Sequence, residues 1–303
     1  MIKLSGIARR LYEATEAIAP VESDDFNALV KILENEDLRT EYTKLLTIFN
    51  AFDPNSVGTI SEILLTKAIN KYAKSADIEA KHTGASGGLS DLKIVVSGKE
   101  IGISLKTTGN NSINLGSDTA NVKSPNLDQL KKYQDRTITD IKDSGDNDLY
   151  EICHGRVKAI AIKLSGDKDN ELFLWVNKFK PKSGTIISGV RFNVVKFKQD
   201  PIINYLENEC TINVTPKGWG LLVGQQPVIA TASYKDSKYL NIHPKVFYID
   251  SILSGMGGTY KSINVPLIDE SKFKNAAEFQ AKVQGLPDRI VDVFINLYDE
   301  LFV

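Results

Sequence analysis

Between Asp91 and Lys106 the hydrophobic period of the chain becomes two, and this stretch constrains the fold more than any other. Leu92, Ile94 and Val96 alternate with Lys93 and Val95, a Ser97-Gly98-Lys99 turn follows, and Ile101, Ile103 and Leu105 alternate again. Successive side chains on a strand point to opposite faces, so the spacing predicts a β-hairpin with one apolar face directed at a core. Glu100, Ser104 and Lys106 then share the other face. The turn brings the strand that opens with Asp91 beside the strand that carries Lys106, where a carboxylate and an amine can meet.

Elsewhere the chain is helical first and strand-rich later. Phe26, Leu29, Val30 and Leu33 follow the acidic cap Ser23-Asp24-Asp25 at helical spacing, and Leu38, Tyr42, Leu45, Leu46 and Phe49 repeat the pattern. A helix from about Thr59 buries Ile60, Ile63, Leu64, Ala68 and Ile69 and turns Glu62, Thr66 and Asn70 to another side. Asn126 to Gln129 reads as an N-cap with a capping-box glutamine, opening a helix to about Lys142. Strands are expected from Val157, Glu171, Val190, Thr211, Gly220 and Pro227, and an amphipathic helix over Ile290, Val291, Phe294, Leu297, Tyr298 and Leu301. No internal repeat or clear linker divides the 303 residues, so one elaborated domain is expected. Within it, residues 1–57 form a helical lead-in, 58–145 carry the core motifs, and 146–303 form a strand-rich part ending in the C-terminal helix.

Composition narrows the classes. A hydrophobic fraction of 42% and a charged fraction of 25% describe an ordinary globular chain. A net charge of −1 gives no global attraction to nucleic acid, so a polyanion site has to arise from local clustering. Two cysteines, Cys153 and Cys210, suit a reducing compartment. Arg9, Arg10, Glu13 and Glu16 interrupt the apolar run that a signal peptide needs, and no stretch reaches the length of a membrane span. The expected location is cytoplasmic, with no membrane partner. Three scattered histidines give no paired-histidine metal motif, and His154 reads as a local hydrogen-bonding residue.

A carboxylate beside an amine suits phosphodiester hydrolysis: the first can hold Mg²⁺, the second can position the attacking water and offset developing charge. The same pattern also describes an ordinary hairpin with solvated charges.

Gly88-Leu89-Ser90-Asp91-Leu92-Lys93-Ile94, the turn, and Gly102-Ile103-Ser104-Leu105-Lys106 resemble the metal-binding hairpin of the PD-(D/E)XK nucleases, most of all the type II restriction endonucleases. The resemblance covers roughly residues 58–135. It implies a mixed central sheet flanked by helices, Asp91 as the metal-binding aspartate, Lys106 as the catalytic lysine and the Leu105 carbonyl as a further metal ligand. It also implies a role for an upstream helical glutamate, matched by Glu62, while Gln129 and Tyr133, one turn apart on a single helix face and expected to contact DNA, resemble the QxxxY helix of RecB-like members. The sequence departs from the pattern at Ser104, where a second acid is expected, and Glu62, Glu79, Glu100 or Asp118 could supply it. Ser90 stands in place of the motif's proline. The implied activity is Mg²⁺-dependent, sequence-specific cleavage of double-stranded DNA by a homodimer. The alternatives are another nuclease of the same superfamily, acting in repair, recombination or phage DNA metabolism, and a non-catalytic DNA-binding protein with a degenerate site at Ser104.

Between Leu172 and Gln199 no acidic residue occurs, whereas Lys178, Lys180, Lys182, Arg191, Lys196 and Lys198 do, interleaved with Trp175, Phe179, Phe192 and Phe197. The segment is expected to face DNA, with further phosphate contacts from Lys131, Lys132 and Arg136. A strand pair with a solvated basic edge would read the same way. Two other motifs are set aside. Asp53 to Ile60 opens like an EF-hand loop but has Leu64 where a bidentate glutamate is required, and Gly255 to Ser262 approaches a P-loop but has Tyr260 before its lysine, so it reads as a connecting loop.

Overall fold

The computed structural model describes residues 24–52, 57–73, 78–83, 90–109, 112–115, 125–168, 170–179, 189–216, 218–230, 245–247 and 258–264. The expected C-terminal helix, Asp118, Lys180 and Lys182 lie outside them. The architecture is mixed α/β. Helices α1 (Asp24–Leu33), α2 (Glu36–Phe52) and α3 (Val57–Tyr72) precede strands β1 (Ile78–His82), β2 (Leu92–Val96), β3 (Lys99–Thr108) and β4 (Ser112–Asn114). Then come α4 (Leu127–Leu130), α5 (Ile138–Asp143), α6 (Asn147–Ser165), β5 (Glu171–Phe179), β6 (Gly189–Lys196) and α7 (Gln199–Asn208). Strands β7 (Thr211–Thr215), β8 (Gly218–Val223), β9 (Gln226–Ala230), β10 (Lys245–Phe247) and β11 (Thr259–Asn264) complete the described chain.

Six strands form one sheet in the order β1-β2-β3-β5-β6-β11, and five form a smaller one in the order β4-β10-β9-β8-β7. Within the larger sheet only β3 and β5 run parallel. A parallel pair needs a long crossover, here occupied by β4 and α4 to α6.

The larger sheet is packed on both faces. Leu92, Ile94, Ile101, Ile103, Leu105, Leu172, Leu174 and Val176 lie in one apolar cluster with Phe26, Leu33, Tyr42, Leu46, Leu64 and Ile69 of the first three helices. Phe173, Trp175, Val195 and Phe197 belong to a second cluster with Leu149, Cys153, Ile160, Ile202 and Leu206. Both alternating sets of β5 are therefore buried, which accounts for its unbroken apolar run.

Three expectations change. Val157 to Leu164 is helical, as part of α6. Its run of apolar and β-branched residues suggests a strand, but Leu149, Cys153, Val157, Ile160, Ala161 and Leu164 form a buried stripe at helical spacing within this helix of nineteen residues. The helix expected from Asn126 to Lys142 is broken: α4 ends at Leu130, a 3₁₀ turn covers Lys131–Tyr133, and Asp135 adopts a φ of +63°. Asp135 N–H and Ile212 N–H bond to the carbonyls of Ile212 and Arg136, so β7 draws this segment out of the helix. Thr259 to Ser262 lies in β11 and is not a connecting loop.

Strand β1 has no counterpart in the sequence reading. Its Ala80 N–H and C=O both bond to the Asn70 side chain, at 2.7 and 2.8 Å, which fixes this edge strand to α3.

Candidate active site

The hairpin sets the site. Ser97 and Gly98 take φ values of +50° and +80°, the conformation of a tight two-residue turn that matches strand twist. The resulting register pairs Val96 with Lys99 and Leu92 with Ile103. Asp91, one residue before β2, donates its N–H to the Ile103 carbonyl at 2.9 Å, and the continued register places it opposite Ser104. A slip of one residue would send Asp91 to the apolar face.

Asp91 and Lys106 do meet. Lys106 Nζ donates to Asp91 Oδ2 at 2.7 Å, with the side chains 20% and 23% exposed. The same oxygen accepts the Leu105 N–H at 2.7 Å and a long contact from Ser104 Oγ at 3.4 Å. The N–H and C=O of one strand residue point to the same side, so the Leu105 carbonyl also lies on the Asp91 side of β3.

Glu62 joins this group from α3. Burial lifts its carboxyl above the ordinary 4.5, and the negative charge of Asp91 lifts it further; the His82 hydrogen bond and the Lys106 charge oppose both. His82, the last residue of β1, holds Glu62 Oε2 at 3.1 Å through Nε2. The site thus gathers two carboxylates, an ammonium and an imidazole from α3, β1, β3 and the entry to β2.

The turn into β2 is anchored on both sides. Thr83 Oγ1 donates to the Ser90 carbonyl at 2.5 Å, and the Thr83 N–H donates to the Asp91 carbonyl at 3.2 Å. Ser90 Oγ donates to Glu171 Oε1 at 2.8 Å, and both residues are buried. The glycine at 102 makes that bond possible, because a Cβ there would stand 2.6 Å from Ser90 Oγ and 3.3 Å from Glu171 Cγ.

Two of the other acids proposed in place of Ser104, Glu79 and Glu100, stand elsewhere. Glu79 is exposed and pairs with Lys81 at 3.2 Å, and Glu100 is exposed at the hairpin end and pairs with Lys93 at 2.6 Å. Of those four candidates, only Glu62 is brought to the Asp91 and Lys106 pair among the described residues.

Two expectations about DNA contacts are corrected. Gln129 and Tyr133 do not share a helix face: Gln129 is exposed, whereas Tyr133 is buried with its hydroxyl 2.6 Å from Ser144 Oγ. The cap is Asn126, whose side chain accepts the N–H groups of Asp128 and Gln129. Secondly, the β5 to β6 segment is not an open basic face. Lys178 is buried, Trp175, Phe192 and Phe197 are core residues, and Lys196 Nζ reaches the Glu171 carbonyl at 3.4 Å. Arg191 is half-buried. Lys132, Arg136 and Lys198 are exposed, as is Lys131, which pairs with Asp128 at 2.9 Å.

His82, Thr83, Ser90 and Glu171 were absent from the expected site. The signal for His82 is faint, since Ile-Glu-Ala-Lys-His offers one buried apolar residue and no turn chemistry. The oxygens available on this side of β3 are those of Asp91, Glu62 and the Leu105 carbonyl, hard donors that suit a water-rich ion such as Mg²⁺, commonly held by one or two carboxylates. Among the described residues no group of three or more His, Cys, Asp or Glu side chains is close enough to hold a metal by itself. Nor is any described helix long and apolar enough to cross a membrane. Comparison with protein-family models, with curated proteins and with solved structures gives no match to this chain.

Proposed function

We propose that the chain is a Mg²⁺-dependent endonuclease that hydrolyses phosphodiesters in double-stranded DNA, of the PD-(D/E)XK kind and closest to a type II restriction enzyme. The observation that carries this reading is the 2.7 Å pairing of Lys106 with Asp91 beside a second, partly buried carboxylate on Glu62. Asp91, Glu62 and the Leu105 carbonyl would hold the ion, which supplies Lewis acidity at the phosphate and a more acidic bound water. Lys106 orients the attacking water and offsets negative charge growing on the phosphoryl oxygens. The water oxygen bonds to phosphorus and its proton passes to solvent, while one phosphorus–oxygen ester bond breaks and the departing sugar oxygen takes up a proton from solvent. Sequence-specific scission of both strands calls for two such sites, hence a homodimer acting in the cytoplasm. Exposed Lys131, Lys132, Arg136 and Lys198 are the available phosphate contacts.

Plasmid incubated with Mg²⁺ should give discrete fragments, and Asp91→Ala and Lys106→Ala should each remove cleavage while the far-ultraviolet circular dichroism stays unchanged. Full activity in either folded variant overturns the assignment. Nicks or smears would shift it to another nuclease of the same type.

One observation favours a second reading, a DNA-binding protein without catalysis. Asp91 Oδ2 already accepts from Lys106, the Leu105 N–H and Ser104, so its charge is offset within the protein itself. That reading expects a gel shift without cleavage, unaltered by Asp91→Ala.

A further inference from the structure

Resting on the cation site just proposed, we infer that His82 is its positioning residue: the ring fixes the Glu62 carboxylate beside the Asp91 and Lys106 pair and thereby sets the affinity for a divalent cation. His82 Nε2 lies 3.1 Å from Glu62 Oε2, and the two side chains are 24% and 15% exposed. A glutamate has three side-chain torsions, and the like charge of Asp91 pushes it away from the place where an ion needs it. A donor on a rigid ring, itself held by a strand, removes that freedom.

The strand makes the arrangement specific. His82 pairs with Leu92, the neighbour of Asp91. The following residue, Thr83, bonds the carbonyls of Ser90 and Asp91. Asn70, two turns along α3 from Glu62, clamps Ala80, two residues before His82. The end of β1 therefore fixes one acid through its side chain and the other through its backbone. Both the neutral Nε2–H tautomer and the imidazolium can donate to Glu62, so the role does not require a particular charge on the ring. Nor is His82 a ligand: its Nε2 is engaged by Glu62, and the imidazole acts through that carboxylate.

The test uses the full chain without DNA and Mn²⁺ as the probe, with free ion read from its electron paramagnetic resonance signal. His82→Ala should weaken Mn²⁺ binding about 10- to 100-fold, the range for loss of a residue that orients a metal ligand. His82→Gln, which ends in an amide donor at similar reach, should restore most of the affinity. Plasmid cleavage by His82→Ala should recover as the metal concentration is raised, with kcat near that of the parent. Binding by His82→Ala equal to the parent's overturns the inference and leaves the nuclease reading in place. A folded His82→Gln as weak as His82→Ala also overturns it. Mn²⁺ binding that depends on His82 in a protein that cuts no DNA supports the inference and removes the nuclease reading. A folded parent chain that binds no Mn²⁺ removes both.

Discussion

Replacing Gly102 with alanine should cost stability through a bond that Gly102 itself does not make. The new Cβ would lie 2.6 Å from Ser90 Oγ, a separation that real side chains avoid, and the hydroxyl can escape only by rotating away from Glu171. A hydrogen bond to a charged acceptor contributes about 1.5–3 kcal/mol, and leaving the buried carboxylate short of a donor sets a penalty of that order. Crowding adds to it, while the stiffer unfolded chain of an alanine variant returns about 0.4–1 kcal/mol. Gly102→Ala should therefore lose about 2–3 kcal/mol, and Ser90→Ala, which deletes the same bond without any clash, about 2 kcal/mol. In the double variant the obstructing oxygen is gone, and the nearest remaining atoms are Glu171 Cγ at 3.3 Å and Ser90 Cβ at 3.6 Å. Its loss should match that of Ser90→Ala, leaving a coupling of about 2 kcal/mol. Urea unfolding of the four proteins, read with unchanged slopes, measures it. Losses that add to within about 0.5 kcal/mol would show that the glycine serves some other purpose.

Four further outcomes are expected. Glu62→Gln should stabilise the metal-free protein at neutral pH: the folded carboxyl sits above its ordinary 4.5, so the stability it contributes is present below that value and is lost as pH rises through the folded one. The gain in melting temperature should grow from pH 4.5 towards 8, and a gain that is flat with pH would contradict the assigned cause. Asn70→Ala should cost about 1–2 kcal/mol by unpinning Ala80, and hydrogen exchange at the Ala80 amide should rise well before exchange at Ile94. Burial pushes the thiols of Cys153 and Cys210 up to about 12, so neither should react with a disulfide reagent at pH 7.5 until the protein unfolds. Asp91→Asn should lose cleavage and Mn²⁺ binding together, which separates it from His82→Gln.

The part of the site legible in the sequence is the part made by local chain geometry. Asp91 and Lys106 are fifteen residues apart and share a hairpin, so alternation and a turn were sufficient to bring them together. Glu62 was visible as the acid on the polar side of an amphipathic helix, but its nearness to Asp91 depends on how α3 docks. His82 and Glu171 were not visible because their partners lie 20 and 81 residues away, and neither stands in a periodic pattern. Lys178 and its neighbours misled for the opposite reason. A run of lysines without acids resembles a DNA-facing edge, yet β5 sits between β3 and β6 with both faces packed, and position in the sheet outweighs local charge. In α6, the apolar and β-branched run from Val157 suggested a strand, while the stripe that decided the matter extends back to Leu149.

The larger sheet is joined at its centre by one ladder, β3 against β5. On one side stand β1 to β3, close in sequence; on the other, β5, β6 and β11. As a nascent chain leaves the ribosome, the hairpin can close early, but the outer edge of β3 stays bare until residue 179 has been made. During that interval Gly102, Ser104 and Lys106 present open amides, and the apolar Leu172 to Val176 segment emerges needing this edge at once. Low temperature weakens hydrophobic association during that interval and should therefore raise the soluble yield of this protein.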